Sequence, residues 1–347
     1  MSKKKISLHL NSNKPKDFNY LVESVVKTSF DISSIEIIVH IDKGDEKMKE
    51  IVNQVNMKNQ NLVNVLETNI IDSFSDAWKT LNLLLKKTAP KVKIISCISD
   101  DLRFVVPDWD KKLLSYDNLF EDKIYRLRCS MYKNQKYVDI WQCGYAPDSY
   151  AFYSKKWLEI VNQWCPCIGP DSFHECISYY MSKISKKYDR NIVVKNVSFD
   201  GQSVSTGISL STRLNRTRIY YKAFFTLMSC KNQRLALQNA KNIITNLKNY
   251  DKNDNLSNYN INYINHNLNN FRKRLNFFKN RGSPDHPINN IPKNIIFIVW
   301  CYVSFLDHFI CKIIKYFYRK GVLEKIIKNK KQYENFKNII KNEESKA

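Results

Sequence analysis

The stretch Ile94-Ile95-Ser96-Cys97-Ile98-Ser99-Asp100-Asp101 carries the clearest structural signal in this chain. A short apolar run with three isoleucines is typical of a buried central strand. Because the two carboxylates follow the run directly, we expect them at the carboxyl end of that strand, where open α/β sheets bind their ligands. Adjacent Asp side chains at such a place indicate a site for a metal ion and phosphate groups.

Strand-like and helix-like segments alternate over the first hundred residues. The predicted strands cover residues 6–10, 35–41, 63–66 and 92–98, and the predicted helices cover residues 18–28, 48–57 and 74–87. Strict alternation at this spacing favours a mostly parallel, doubly wound sheet with right-handed crossovers and helices on both faces. The sequence therefore predicts an α/β fold of the nucleotide-binding type.

The pattern changes beyond Asp101. Strands are predicted at residues 123–129, 149–153 and 192–197, and helices at residues 155–164 and 171–186. Pro170 places Asp171 at or near a helix start, because proline is well tolerated in the first turn. We expect this α/β domain to span residues 1–209.

The charge of the chain is unevenly distributed. The formal net charge is +23, and residues 1–209 hold 30 Lys and Arg against 25 Asp and Glu, whereas residues 210–347 hold 26 against 8. We expect residues 210–347 to form a basic, Asn- and Lys-rich helical appendage with an anionic partner, either phospholipid or nucleic acid.

Residues 294–318 are predicted to form an amphipathic helix in the appendage. The segment holds twelve uncharged residues and then a charged face that includes Asp307, so it is poorly suited to span a bilayer. We expect it to lie in a membrane interface. Docking on the α/β domain or on a second subunit stays open as the alternative.

The cysteine pattern and the start of the chain both favour a reducing compartment. The nine cysteines are odd in number and include no pair at CxxC spacing, which argues against a disulfide framework or a zinc knuckle. The basic start, residues 1–5, leads into a strand pattern instead of the apolar core of a signal peptide. We expect a cytoplasmic protein, with peripheral attachment to the cytosolic face of the membrane as an option.

Taken together, residues 6–205 resemble glycosyltransferases of the GT-A fold, close to the family 2 type. The resemblance rests on the opening strand 6–13, the strand ending Val39-His40-Ile41-Asp42, the pair Ala77-Trp78, Ser99-Asp100-Asp101 followed by Pro107-Asp108-Trp109-Asp110, and the stretch 169–175. It implies transfer of a sugar from a nucleotide-diphosphate donor to a glycan or lipid-linked acceptor in cell-surface polysaccharide synthesis, assisted by Mg²⁺ or Mn²⁺.

The resemblance also implies roles for individual residues at the donor site. Asp101 corresponds to the metal ligand, and Asp100 to the carboxylate that contacts the ribose or a water on the metal. Asp42 corresponds to the residue that receives the nucleotide base, while Asn11 and Ser12 line the same cleft. Divalent ions neutralise the charge that builds on a leaving diphosphate, and this is the physical reason to expect a metal ligand at the donor site.

An inverting transfer needs a base that removes the proton of the acceptor hydroxyl. Asp171 is the candidate, with Glu175 one helical turn later in reserve. The family has a His as its last metal ligand after the final strand, and here only Asp200 stands in that region. Candidates for stacking on sugar rings are Trp141, Tyr145 and Trp164.

Simpler interpretations stand beside these. Two adjacent Asp residues often form a solvated turn, and Asp171 could serve only as a helix cap. His9 and His40 are predicted to be core residues, and two Trp residues seven apart, 157 and 164, are most simply core as well. The basic, Tyr-rich appendage would also suit a nucleic-acid-binding protein. The missing His would suit a catalytically inactive protein that binds nucleotide sugars.

Overall fold

The structure, a computed structural model, describes residues 3–69, 76–131, 150–167, 169–184, 190–201, 226–227 and 229–248, with four single positions at 306, 310, 313 and 317. The chain divides into two compact units, residues 1–142 with 146–263 and residues 143–145 with 264–347. All strands and helices named below belong to the first unit. The stacking candidates Trp141 and Tyr145 lie outside the described residues.

The first unit begins with strands and helices in the alternating order that the sequence predicts. The strands are β1 Ile6–Asn11, β2 Ile35–Asp42, β3 Val63–Thr68, β4 Ile94–Cys97, β5 Leu102–Phe104, β6 Arg126–Met131, β7 Phe152–Ser154 and β8 Asn191–Gly201. The α-helices are α1 Pro15–Thr28, α2 Glu46–Lys58, α3 Ala77–Lys87, α4 Trp109–Asp117, α5 Lys155–Val161, α6 Pro170–Ile184 and α7 Cys230–Lys248.

The strands form one eight-stranded sheet in the order β3-β2-β1-β4-β7-β6-β8-β5. The pairs β1–β2, β1–β4, β2–β3 and β6–β8 are parallel, and the pairs β4–β7, β6–β7 and β5–β8 are antiparallel. The predicted α/β class with a mostly parallel sheet is therefore confirmed. The antiparallel pairs all lie in the half of the sheet that follows β4.

The sheet reverses its winding direction between β1 and β4. From β1 the chain adds β2 and β3 on one side, and it then returns to place β4 on the other side of β1. In open α/β sheets, ligands bind outside the carboxyl ends of the two strands at such a switch point. The residues that follow Asn11 and Cys97 are thus brought to one crevice.

The core explains why these segments fold as they do. Strand β2 is buried along seven of its eight residues, as expected for a parallel strand covered on both faces. Helix α1 has proline at its first position and buries Phe18, Leu21, Val22 and Val25 on one face. At about 25 cal/mol for each Å² of apolar surface, each such side chain contributes about 1.5–3 kcal/mol by leaving water.

Two elements after Asp101 are absent from the sequence-based prediction. Strand β5 has only three residues, and helix α4 follows Asp108, whose φ of 58° is left-handed. Both carry core residues, since Phe104 is 3% exposed and Trp109 is fully buried. Their apolar residues are too few for a strand or helix period to be recognised.

Helix α7 lies in the sequence region assigned to the appendage, yet it packs on α5 and α6. Tyr180 of α6 donates a hydrogen bond of 2.8 Å to Gln233 of α7, and both side chains are buried. The division at residues 209 and 210 stays a prediction. Within the described part of the chain, no helix has the length and apolar character needed to cross a membrane.

Candidate active site

The switch point is held together by a hydrogen bond between the ends of its two strands. Ser12 Oγ, which follows β1, donates to Asp100 Oδ2, which follows β4, at 2.9 Å. Ser99 donates a short hydrogen bond to the Asp101 carboxylate. Both Asp side chains are half-buried. The three predicted residues Ser12, Asp100 and Asp101 are thus brought to the same crevice.

The electrostatics of Asp100 indicate negative charge that the protein compensates only in part. Burial raises the pKa of the Asp100 carboxyl, and the charges of Asp101 and Asp17 raise it further. The hydrogen bond from Ser12 and the charge of Lys14 act in the opposite direction. Because the net shift is upward, an added cation would stabilise the ionised form.

A fourth carboxylate and one arginine complete this part of the molecule. Asp200 on β8 is the cross-strand partner of Arg103 on β5. Burial lowers the pKa of Arg103, while Asp17, Asp101, Asp100 and Asp200, in that order of strength, raise it. We call Asp17, Asp100, Asp101 and Asp200 the acidic cluster. The sequence-based prediction missed Asp17 and Arg103, which no motif marks.

The described residues contain no ready-made metal cage. Nowhere among them do three or more His, Cys, Asp or Glu side chains come close enough to hold a metal ion. Asp101 and Asp200, the two predicted metal ligands, therefore lack a third protein ligand of this kind. Mg²⁺ and Mn²⁺ at phosphate sites commonly use one or two carboxylates and take further ligands from the substrate and water.

The other two residues predicted to bind the donor, Asn11 and Asp42, are the last residues of β1 and β2. Asn11 donates to the Ala77 carbonyl at 2.9 Å and accepts from Thr80 at 2.9 Å, so its amide fixes the start of α3 beside β1. Asp42 ends β2, two residues beyond His40, which pairs with Asn11. Asp42 thus lies at the same edge of the sheet as the switch point.

Asp171 lies in the first turn of α6, near the end of β4. Its negative charge contributes to raising the pKa of Cys97, after burial, to about 12. Gly169, at a φ of 95°, lets the chain turn into the helix, and a Cβ atom there would lie 3.5 Å from Asp171 Oδ1. Asp171 Oδ1 therefore lies close to the turn at Gly169 that begins the helix.

Glu175, the reserve base, is held in an ion pair. Arg126 Nη1 donates to Glu175 Oε2 at 3.0 Å, and the arginine is fully buried while Glu175 is 21% exposed. Arg126 also contacts Ser178 and Asn191. A carboxylate that compensates a buried guanidinium is poorly suited to accept a proton, because protonation would leave that charge buried and uncompensated.

Five aromatic rings contact one another in a group that we call the imidazole cluster. It consists of His9, Tyr153, Trp157, Trp164 and His174. All five side chains are buried. The indole N–H groups of Trp164 and Trp157 each donate 3.1 Å hydrogen bonds to Nδ1 of His9 and His174 respectively. The core interpretation of both tryptophans is confirmed, and Trp164 is too deeply buried to stack on a sugar.

The cysteines described in this unit carry free thiols. Cys129, Cys165, Cys167 and Cys176 are buried and Cys97 is half-buried. Burial raises the pKa of Cys167 to about 11. A thiol whose pKa is raised in this way is a poor nucleophile at neutral pH, which argues against a catalytic role for Cys167.

Known proteins resemble this chain in structure. No protein-family model matches it, and no curated protein does. Among solved structures, a mannosyltransferase from Pyrobaculum calidifontis in complex with GDP-Man and Mn²⁺ matches with a TM-score of 0.49 and 12% identity, over 73% of this chain and 77% of the other. At 12% identity, this likeness concerns the fold alone.

Two further matches are similar in extent. TarS of S. aureus, residues 1–349, matches with a TM-score of 0.46 and 15% identity over 78% of both chains. Glucosyl-3-phosphoglycerate synthase from Mycobacterium tuberculosis, in complex with Mn²⁺, UDP and glucosyl-3-phosphoglycerate, matches with a TM-score of 0.43 and 13% identity over 65% of this chain and 79% of the other. At these values the roles of individual residues rest on the chain's own geometry.

Proposed function

We propose that the chain is a glycosyltransferase that moves a sugar from a nucleotide-diphosphate donor to an acceptor hydroxyl, with inversion at the sugar carbon. The observation that carries the proposal is the 2.9 Å hydrogen bond between Ser12 and Asp100. It joins the carboxyl ends of β1 and β4 at the switch point and aligns two carboxylates beside a crevice. This is where an α/β sheet offers room for a nucleotide.

The donor would lie across the ends of β2, β1 and β4. Asp42 at the end of β2 is in reach of a base on that side, and Asp100 is in reach of the ribose or of a water molecule. Ser12 keeps the Asp100 carboxylate in place and compensates part of its charge. Asn11 contributes indirectly, because its amide fixes α3 against β1.

The residues present fit a divalent ion of the Mg²⁺ or Mn²⁺ type. Asp101 would hold it, with Asp200 as a second oxygen ligand, and the raised pKa of Asp100 agrees with a place that favours added positive charge. Such an ion, when bound, stabilises the negative charge that develops on the leaving diphosphate. Ser99 fixes the Asp101 carboxylate by its hydrogen bond.

Asp171 is the proposed base. In a single displacement, the acceptor oxygen bonds to the anomeric carbon as the bond from that carbon to the diphosphate oxygen breaks, which inverts the configuration. The acceptor proton passes to the Asp171 carboxylate, and the nucleoside diphosphate leaves as an anion. The proximity of Asp171 to Cys97 at the end of β4 supports this role.

The acceptor is proposed to be a glycan or a lipid-linked sugar at the cytosolic face of a membrane. Four helical positions of the second unit, Leu306, Ile310, Ile313 and Phe317, are 41–64% exposed. Their spacing of four, three and four residues places them on one helical face. An exposed apolar stripe in the basic part of the chain supports peripheral attachment to anionic lipid.

A thermal-shift screen of nucleotide sugars with and without Mn²⁺ tests the donor site. We expect one donor class to raise the melting temperature, more so with Mn²⁺, because a ligand that binds only the folded state stabilises it. Asp101→Asn should remove the Mn²⁺-dependent part. The matched control is Asp108→Asn, an exposed left-handed position at which Asn is well tolerated.

Hydrolysis of the stabilising donor, followed by chromatography, separates an active transferase from an inactive binder. Release of free sugar that is lost in Asp101→Asn would support transfer chemistry. Binding without any turnover would instead favour the inactive alternative. If no nucleotide sugar shifts the melting temperature, the donor site is wrong as proposed.

A further inference from the structure

Arg103 lies beside the acidic cluster, and the donor-site proposal gives it no role. It is the central residue of β5 and lies two positions after Asp101. Its side chain is 12% exposed, and its guanidinium lies 3.6 Å from Asp17 Oδ1 and 5.8 Å from the centre of the Tyr20 ring. A permanent positive charge is therefore built into the acidic cluster.

Two hydrogen bonds fix this charge at the loop that carries the metal ligand. Arg103 Nη1 donates hydrogen bonds to two backbone carbonyl groups, that of Asp100 at 2.8 Å and that of Leu102 at 2.7 Å. Asp200 faces Arg103 across the β5–β8 pair. The guanidinium is thus held between α1, the Asp pair and β8.

Arg103 and Lys14 are the cations that the described residues place beside the acidic cluster. The acidic cluster contributes four carboxylates, and among the cations described near it Lys14 reaches Asp17 at 3.7 Å from a more exposed position. A guanidinium cannot lose its proton at neutral pH, so Arg103 supplies one positive charge whether or not a ligand is present. The same charge would repel a divalent ion that approaches the same carboxylates.

We propose that Arg103 is a built-in counter-cation of the acidic cluster that competes with the divalent ion and so sets how strongly the donor site depends on that ion. The inference rests on the proposed donor site. Arg103 holds the Asp pair in place in the empty protein and limits the affinity of the pair for a free metal ion. It is a positioning residue and does not take part in bond making.

Calorimetric titration of the full chain with Mn²⁺ alone tests this role. Arg103→Gln, which removes the charge, should bind Mn²⁺ roughly tenfold more tightly than the wild type, since a unit charge a few Å away is worth more than a tenfold factor at protein-like dielectric. Arg103→Lys keeps the charge and should stay within about twofold of the wild type. The matched control is Lys47→Gln, which removes an exposed charge on α2.

Arg103→Met, which keeps the apolar stem of the side chain beside Tyr20, is the second neutral variant should the Gln variant fail to fold. Equal Mn²⁺ affinity in the wild type and in the neutral variants would overturn the proposal, as would equally weakened binding in the Gln, Met and Lys variants. Either result would leave the donor site itself standing if nucleotide sugars still raise the melting temperature. Loss of that response in the wild type would refute the donor site instead.

Discussion

The acidic cluster and the imidazole cluster accommodate buried polar groups in different ways. In the imidazole cluster, each histidine accepts an indole N–H, and burial keeps both rings neutral. In the acidic cluster, burial raises the pKa of Asp100, and the charges of Asp101 and Asp17 raise it further.

The difference separates a structural polar group from a functional one. His9 has hydrogen-bond partners at both ring nitrogens, and a buried group satisfied in this way adds rigidity and has nothing further to bind. A cluster with uncompensated charge next to a crevice gains free energy from a ligand of opposite charge. Of the two clusters, the acidic one is the one that we propose as the place where a cation binds.

The largest expected effect concerns Asp171, the proposed base. Asp171→Asn should lower the turnover number by about 10²–10⁴-fold, because an amide cannot accept the acceptor proton. Binding of the donor should change little, since Asp171 is not among its proposed contacts. Steady-state kinetics with the donor found in the screen measure both effects.

Glu175→Gln is the companion variant. Since Glu175 compensates buried Arg126, its loss should lower the melting temperature and leave the turnover of the folded fraction largely intact. A larger fall in turnover for Glu175→Gln than for Asp171→Asn would reverse the assignment of the base.

The imidazole cluster should make the protein sensitive to mild acid. Burial lowers the pKa of His9 and of His174 from 6.5 to about 3, with the charge of Arg126 adding to the effect at His174. Between pH 6.5 and pH 3 the unfolded state binds more protons than the folded state. The stability that the neutral rings contribute is therefore fully present above pH 6.5 and is lost as the pH falls toward 3. We expect a loss of about 2 kcal/mol for each histidine between pH 7 and pH 5.

Urea unfolding at pH 7, 6 and 5 measures this loss. The pH window spans the ordinary pKa of histidine and lies above that of a carboxyl group, which is why it reports mainly on histidines. Trp164→Phe removes the indole N–H that opposes protonation of His9, and it should flatten part of the slope. A free energy of unfolding that is constant from pH 7 to pH 5 would contradict the neutral buried state of both rings.

Asp110 offers a carboxylate that belongs to neither cluster. Its two oxygens accept the backbone N–H groups of Phe30 and Asp31 at 2.7 and 2.9 Å, and it is 1% exposed. Asp110→Asn should cost about 1–3 kcal/mol of stability, because an amide can accept only one of the two bonds. Thermal unfolding measures this cost, and unchanged donor affinity in the same variant would show that Asp110 is structural.

The smallest expected effect concerns Ser12. Ser12→Ala removes the hydroxyl that donates to Asp100, and it should weaken donor binding about two- to tenfold, the range of one ordinary hydrogen bond. Ser12→Thr keeps the hydroxyl and is the matched control. If Ser12→Ala binds the donor as tightly as the wild type, the bridge across the switch point has no part in binding.

The parallel half of the fold follows from local signals in the sequence. Strand β1 alternates apolar and polar residues, whereas β2 and β4 are rich in isoleucine, and each is separated from the next strand by an amphipathic helix or a turn. The order of β5 and β8 at the far end of the sheet depends on contacts between residues about a hundred positions apart. No local pattern carries that information.

The residues of the candidate site also divide into those that the sequence predicts and those that it does not. Ser12, Asp100 and Asp101 could be predicted because they directly follow strands whose ends must meet. Arg103 and Asp17 could not, since their contact spans 86 positions and depends on how α1 packs against β5. The ion pair of Glu175 with Arg126 is equally invisible in the sequence, as is the use of Asp110 to bind a turn.

Strand β5 has a consequence for local stability. It has three residues, lies at the end of the described sheet and pairs with β8 alone within it, yet it directly follows the Asp pair. Short edge segments open with lower free energies than the core, so their amide hydrogens exchange earlier. Partial opening of this edge would disassemble the loop at Asp100 and Asp101 while β1 and β2 remain folded, and a ligand that bridges the loop should slow amide exchange there most.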